Sequence, residues 1–437
     1  MLKSAQGVQK PSRRALYIMG AAAPDGSQTS ALIMGGAIVV NGTDAALEAV
    51  PARVRRLDLS GWVLLPAPAE PHAHLDKAFL TVRVNNRAGD LPGALEAERA
   101  VRAVRATMTP EDVVERARRA LLLAVRHGFT AVRSHVNVGG GAGTAGVEAL
   151  VSLRGELLGV VDLQLVAMVA EPVVGRGGRS GRDTLSKALD IGADVVGGAP
   201  WLGKDPERAV IELTRAAAGG GHPVDLHTDE TTDASVCTLE CYASQVERLG
   251  LGGRAVASHC VSLGQLPVKR ARAIAGRLAS SGVGVVVLPQ TNLVLQGRGN
   301  LTRTPRGLPP IRLMEEAGVL VAGGGDNWRD PFNPLGRADP METAALLVAA
   351  GHVAPEEAYE MVSERARAIM GLPPAALHPG DRADILAISA SDVADAVAGA
   401  SEQRIVFHDG NLASWTEVRL RRVGGLGSGV AGATPTR

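Results

Sequence analysis

ADVVGGAPWLGKDPERAVIELTRAAAGGGHPVDLHTD, residues 193–229, contains one full structural period of the chain. An apolar run opens it at Ala193. From Pro206, apolar residues recur at three- and four-residue spacing and the stretch stops in glycines; a second apolar run then ends in His227. The spacing predicts a helix and the glycines its end. The flanking runs are apolar on both faces, as parallel strands buried in a sheet must be. The same unit recurs on either side. Upstream lie WVLLPAPAEPH (from Trp62), TAVRSHV (from Thr130) and LQLVAMV (from Leu163), and downstream RAVASHC (from Arg254), VGVVVLP (from Val283) and GVLVAGGGD (from Gly318). PEDVVERARRALLLAVRHG, residues 110–128, is a helix of the same kind, and the helix after the first strand begins late, behind a long loop through Asn85 to Leu91. Eight strand–helix units over about 300 residues predict an α/β fold, a (β/α)8 TIM barrel. The alternative, a doubly wound open sheet, lacks a glycine fingerprint after its first strand.

The ends read differently. Short β-rich runs broken by Gly, Asn and Asp cover residues 15–65, and HPGDRADILAIS (from His378) and RIVFHDGNLAS (from Arg404) follow the barrel. These predict a small β-sandwich domain built from residues 15–65 plus 373–423, around a barrel of residues 66–372. Residues 1–14 read as a flexible arm and residues 424–437, poor in large apolar side chains, as a disordered tail.

Composition narrows the function. The 46 basic and 45 acidic residues leave a net charge of +1, so nothing draws the chain to nucleic acid or a membrane. Aromatics are 3%, too few for base-stacking platforms. Three cysteines, Cys237, Cys241 and Cys260, form no disulfide framework and point to a reducing compartment; Cys237 and Cys241 read as small residues of one helix. There is no apolar run of about 18 residues, and the basic N-terminus has no signal-peptide core behind it, so a cytoplasmic location is expected. GGGAGTAG (from Gly139) lacks the Lys-Ser/Thr of a phosphate loop and reads as a mobile loop.

Chemistry concentrates at the strand ends, where barrel enzymes carry their active sites. His72 and His74, two apart on the first strand, face the same side. His227 ends strand five, His259 strand six and Asp326 strand eight. Three imidazoles and a carboxylate, His72, His74, His227 and Asp326, suit one Zn²⁺ or Fe²⁺ with a position open for water. Asp326 can also take a proton from that water. Glu230, just past the end of strand five, suits a proton shuttle to a leaving nitrogen, or else a charge at a helix N-terminus. His259 sits slightly too far to ligate and would hydrogen-bond the nucleophile. His135, without a clear partner, reads as structural. Arg303 and Arg306 read equally as contacts for an anionic group or as solvated charges.

HAHLDKAF, DLHTDE, ASHC, NLVLQGR and GGGDNWRDPFNPLG, in this order, resemble the cytosine deaminase branch of the amidohydrolase superfamily over nearly the whole chain. The resemblance implies the barrel with its terminal β-sandwich and one Fe or Zn on His72, His74, His227 and Asp326. It also implies proton handling by Glu230 and His259, and a loop with Leu295, Gln296, Gly297 and Arg298 over the substrate. The pocket departs from the pattern. Ala170 or Glu171 stands where a glutamine would read the base edge, Asn327 replaces the second of two aspartates, and Phe332 stands where a Trp is expected. Lys77, in HLDK, is instead similar to the N-isopropylammelide amidohydrolase type. It would hold an anionic ring oxygen or assist proton transfer, or else pair with Asp76 or Asp330. Binuclear members carry a lysine at the end of strand four. Lys204 comes too late for that, so the site reads as mononuclear.

These readings converge on a metal-dependent hydrolase that removes ammonia or an alkylamine from a small heterocyclic substrate such as a pyrimidine or triazine. The alternatives are a cyclic amide hydrolase that opens a ring with the same nucleophile, and a catalytically silent barrel kept for binding. Neither nucleic acid nor membrane is expected as a partner, and homo-oligomer formation stays open.

Overall fold

The structure is a computed structural model that describes residues 15–43, 50, 54–105, 108–141, 143–169 and 172–419. The expected arm and tail lie outside the described residues, as do Ala170 and Glu171. Among the described residues five strands come first: β1 (Leu16–Ala22), β2 (Gln28–Met34), β3 (Ala37–Gly42), β4 (Arg55–Asp58) and β5 (Val63–Pro66). Eight parallel strands follow, each paired with the next: β6 (Ala69–Ala73), β7 (Ala131–Val138), β8 (Asp162–Val169), β9 (Val195–Gly198), β10 (Val224–Thr228), β11 (Ala255–His259), β12 (Val283–Val287) and β13 (Val321–Gly323). They form the barrel. β14 (Ile385–Ile388), β15 (Arg404–His408) and β16 (Asn411–Thr416) then return to pair with β5.

Two readings are corrected here. WVLLPAPAEPH is two strands, because Pro66 and Pro68 supply no N–H for a ladder. Its first half joins the terminal sheet and its second starts the barrel. Cys237 precedes the helix Leu239–Leu249 that holds Cys241. The terminal strands form one mixed sheet in the order β16-β15-β14-β5-β1-β2-β3, with β4 on β1. The sheet curls so that Ile18, Ile33 and Ile38 meet Ile385, Ile405 and Phe407 in one core. The Ala37–Arg382 bridge brings its far edge back to the C-terminal segment, so the sandwich arises by curling.

The helices start and stop as their termini dictate. Thr109 accepts the Asp112 N–H ahead of Pro110–Arg126, and Asp205 accepts the Arg208 N–H ahead of Pro206–Gly220, each with Pro at the first position. Gly221, at φ 72°, ends the second. No helix among the described residues is long and apolar enough to cross a membrane.

Buried ion pairs join barrel and terminal sheet. Arg404 on β15 meets Asp339 at 2.8 and 3.0 Å. His408 donates to Asp384 at 3.0 Å and lies 3.4 Å from Asp162 at the start of β8. Arg367 and Arg382 also bind Asp384. Those two guanidinium groups make this a salt-bridge network and leave no role for a metal at Asp162, Asp384 and His408. Burial alone depresses the His408 pKa, but hydrogen bonds to Asp162 and Asp384 outweigh it and raise the pKa to about 9. A folded pKa above the unfolded value adds stability that is complete below about pH 6.5 and lost as pH rises through about 9, here about 3 kcal/mol. Urea unfolding of wild type and His408→Gln is therefore expected to show a stability gap widest at pH 6 and narrowing toward pH 9.5. A gap independent of pH contradicts this assignment.

Candidate active site

Alternation along the barrel strands stacks polar side chains in two layers inside the barrel mouth. The upper layer contains His72, His74, His227, His259 and Asp326, all buried. His227 Nε2 lies 3.2 Å from the Nε2 of His72 and 3.2 Å from that of His74. Asp326 Oδ1 lies 3.2 Å from His74 Nε2 and 3.7 Å from His72 Nε2. His259 Nε2 stands at 4.0 Å from Asp326 Oδ2, and its Nδ1 is 3.0 Å from Asn292 Oδ1 and 3.7 Å from Glu230 Oε1. All six sequence-selected groups, Glu230 included, thus come together at one rim.

The layer beneath orients them. Ser258 has one proton to give, and Asp225 Oδ1 accepts it at 2.9 Å. Ser258 Oγ therefore accepts from His72 Nδ1–H at 3.0 Å, which turns the His72 Nε2 lone pair toward His227 and Asp326. Arg133 holds the other Asp225 oxygen at 2.9 Å. His135, read from sequence as structural, is part of this site: it stacks on His72 at 3.8 Å between centroids and lies 3.7 Å from Asp225.

Glu70 closes the barrel seam. Its carboxylate accepts the N–H groups of His72 (3.0 Å) and Gly325 (2.9 and 3.0 Å), so the strand bearing His72 is fixed to the segment bearing Asp326. A Cβ at Gly324 would sit 2.7 Å from that carboxylate, hence the glycine. Asp326 N–H also donates to His72 O at 2.9 Å. Asp326 (φ 61°) and His259 (φ 71°) both adopt left-handed backbone, a strain of about 1–3 kcal/mol each that the surroundings must impose.

Electrostatics fits the site to a cation. Burial, reinforced by neighbouring imidazoles, holds His72 and His227 well below the ordinary histidine pKa; for His74, Lys77 adds to burial. His72, whose Nδ1–H is committed to Ser258, presents a bare Nε2, and the Nε2 atoms of His227 and His74 follow in line at 3.2 Å, so the tautomers with Nδ1–H turn three lone pairs toward one point beside Asp326. Burial raises the carboxyls of Asp326 and Glu230, and for Glu230 the nearby Asp326 adds to the shift. A divalent cation reverses that balance. Three imidazoles and a carboxylate are the donors such an ion takes.

The remaining selected residues line the approach. Lys77 Nζ is buried 4.6 Å from the centroid of the Phe332 ring and 3.9 Å from Glu98 Oε2, a partner that sequence reading missed. Phe332 packs with Leu91, Ala94, Leu295 and Trp201. Gln296 donates to the Glu230 backbone carbonyl at 3.2 Å and so positions it. Asn327 is tied into its own turn, donating to Asp330 at 2.7 Å. Arg298 is exposed, its Nε donating to Val294 O at 2.6 Å beside Gly89. Arg306 donates to Ala350 O at 3.0 Å.

Comparison with known proteins shows the family and the fold. The amidohydrolase family profile matches residues 83–411. A pterin deaminase of Rhizobium rhizogenes is 30% identical over 367 residues, 83% of either chain. The solved 5-methylcytosine deaminase of Klebsiella pneumoniae with 5-fluorocytosine has a TM-score of 0.85 at 25% identity, covering 93% of this chain and 99% of that one. The N-isopropylammelide isopropylaminohydrolase of Burkholderia multivorans has a TM-score of 0.79 at 28% identity, covering 91% and 98%.

Proposed function

Because the chain belongs to the amidohydrolase family and is a hydrolase of carbon–nitrogen bonds, we propose that it hydrolytically removes ammonia or an alkylamine from a small nitrogen heterocycle, using one Zn²⁺ or Fe²⁺ held by His72, His74, His227 and Asp326. The observation that carries this reading is the cluster of imidazole Nε2 atoms, His227 at 3.2 Å from both His72 and His74, with Asp326 beside them. Relatives that act on pterin, 5-methylcytosine and N-isopropylammelide support the substrate class.

A divalent cation held there would supply a water nucleophile near neutrality, since such ions lower water's pKa from about 15.7 to about 7. The chain's own groups do the rest. Asp326 and His259 orient the water and take its proton. Glu230, whose carboxyl burial pushes toward the protonated form, donates to the ring nitrogen next to the attacked carbon. The C–O bond forms, the proton passes to the exocyclic nitrogen, and the C–N bond breaks. Water and an amino-substituted ring give an oxo ring and ammonia or amine. The buried mouth excludes competing solvent.

The test combines metal analysis with a panel of pterins, pyrimidines and triazines assayed for amine release. One ion per chain and amine release from a ring are expected. New carboxylate without amine would favour ring opening, and neither product from any ring would sink the proposal. Ser258→Ala is expected to lower Zn²⁺ affinity about 10- to 100-fold in chelator competition, because His72 loses the acceptor that orients it. Unchanged affinity would show that the Asp225–Ser258 chain does not act on the ion.

A further inference from the structure

We infer that Asn292 is a positioning residue: its side-chain oxygen holds His259 with the proton on Nδ1, so that a bare Nε2 is offered to the attacking water and Glu230 is left free for the ring. This rests on the proposed function and goes beyond it by naming the group that sets the state of the base. Asn292 is fully buried, and its Oδ1 lies 3.0 Å from His259 Nδ1. An amide oxygen only accepts, so the hydrogen of this bond sits on Nδ1. The neutral ring then carries its lone pair on Nε2, the atom 4.0 Å from Asp326 Oδ2. That Nε2 makes no hydrogen bond among the described residues.

The place of Asn292 is fixed from the strand onward. β12 ends at Val287, and Pro289 opens the helix Pro289–Leu295 with its φ already set. Asn292 N–H donates to Leu288 O at 3.1 Å, and Asn292 O accepts from Gln296 N–H at 2.9 Å, so the backbone is engaged on both sides. Gln290 donates to Thr343 Oγ1 at 2.6 Å and ties this helix to its neighbour Pro340–Leu346. The anchored segment then reaches three parts of the site. Thr291 Oγ1 accepts the N–H of Asn327, the residue after Asp326, at 3.4 Å. Gln296 donates to Glu230 O at 3.2 Å, and Asn292 takes His259.

Two oxygens compete for the same N–H. Glu230 Oε1 stands 3.7 Å from His259 Nδ1, beyond hydrogen-bond distance, while Asn292 Oδ1 holds that nitrogen at 3.0 Å. Without Asn292, Glu230 Oε1 is next in reach, and a bond to it would draw the acid away from the ring nitrogen. Leaving the N–H unpaired instead costs the full desolvation of a buried donor. Either outcome slows the chemical step and leaves His72, His74, His227 and Asp326 in place.

The test has two arms. In the first, the full chain, grown with zinc and labelled with nitrogen-15 at histidine, is measured by NMR near neutral pH, and the His259 ring is assigned by its loss in His259→Gln. The ring is expected to carry its proton on Nδ1 and none on Nε2. A proton on Nε2 overturns the inference, whether or not the protein turns over any ring. The second arm measures kcat, KM and metal content of Asn292→Leu, which keeps the branched shape and removes the acceptor, and of Asn292→Asp, which keeps the acceptor. Asn292→Leu is expected to lose about 10- to 100-fold in kcat, with KM changed less than about threefold and metal content at the wild-type level, and Asn292→Asp to recover most of that loss. Equal losses in the two variants, or wild-type kcat in Asn292→Leu, overturn the inference. A wild type that releases no amine from any ring counts against the proposed function alone, and the first arm remains readable in that case.

Discussion

Asp326→Asn is expected to lower kcat about 10³- to 10⁴-fold on any ring the wild type turns over and to bring the metal content well below one ion per chain. Two roles meet in this one carboxylate. It stands 3.2 Å from His74 Nε2, where it would complete the proposed donor set, and 4.0 Å from His259 Nε2, with which it would share the proton of the attacking water. An amide keeps the shape but carries no charge for the ion and no base for the proton. The left-handed backbone at Asp326 is held by Glu70 and by the Asp326 N–H to His72 O bond, neither of which the substitution touches. The fold should therefore survive, and melting temperature of the metal-free protein is the control. A variant with full metal and more than a tenth of the wild-type kcat would remove Asp326 from the mechanism.

The second large effect separates proton delivery from metal binding. Glu230→Gln is expected to cost about 10²- to 10⁴-fold in kcat while metal content stays at the wild-type level. Glu230 lies 3.7 Å from His259 Nδ1, its backbone carbonyl is held by Gln296, and burial, with Asp326 adding to the effect, raises its carboxyl pKa. Glutamine can donate a hydrogen bond from that place but cannot release a proton. Steady-state kinetics alongside metal analysis checks the prediction. Loss of metal in this variant would place Glu230 among the ligands instead, and unchanged kcat would leave the leaving nitrogen without its donor.

The barrel and its upper layer of polar groups were readable because both depend on short-range pattern. Helical spacing between apolar runs marks the strand–helix units, and His or Asp at a strand end marks the mouth. The lower layer was equally present in that pattern and was passed over. Glu70, Arg133 and Asp225 each precede a site histidine by two residues, the strand period, so they had to share its face. Ser258 was harder, since it adjoins His259 and adjacent strand residues normally face opposite ways. The left-handed turn at His259 breaks that alternation. The same rule assigned His135 to the barrel interior, but only the stacking on His72 gives it a place in the site. Glu98 was out of reach: it arrives from a helix, and no local pattern pairs it with Lys77. The curling of the terminal sheet depends on contacts between the two ends of the chain, which no local window contains.

Anomalous diffraction at the zinc and iron edges from crystals of the full chain locates the ion directly. The expected result is one peak within about 2.0–2.2 Å of the Nε2 atoms of His72, His74 and His227 and of an Asp326 oxygen. A peak elsewhere, or none in protein grown with both metals supplied, would contradict the proposed centre.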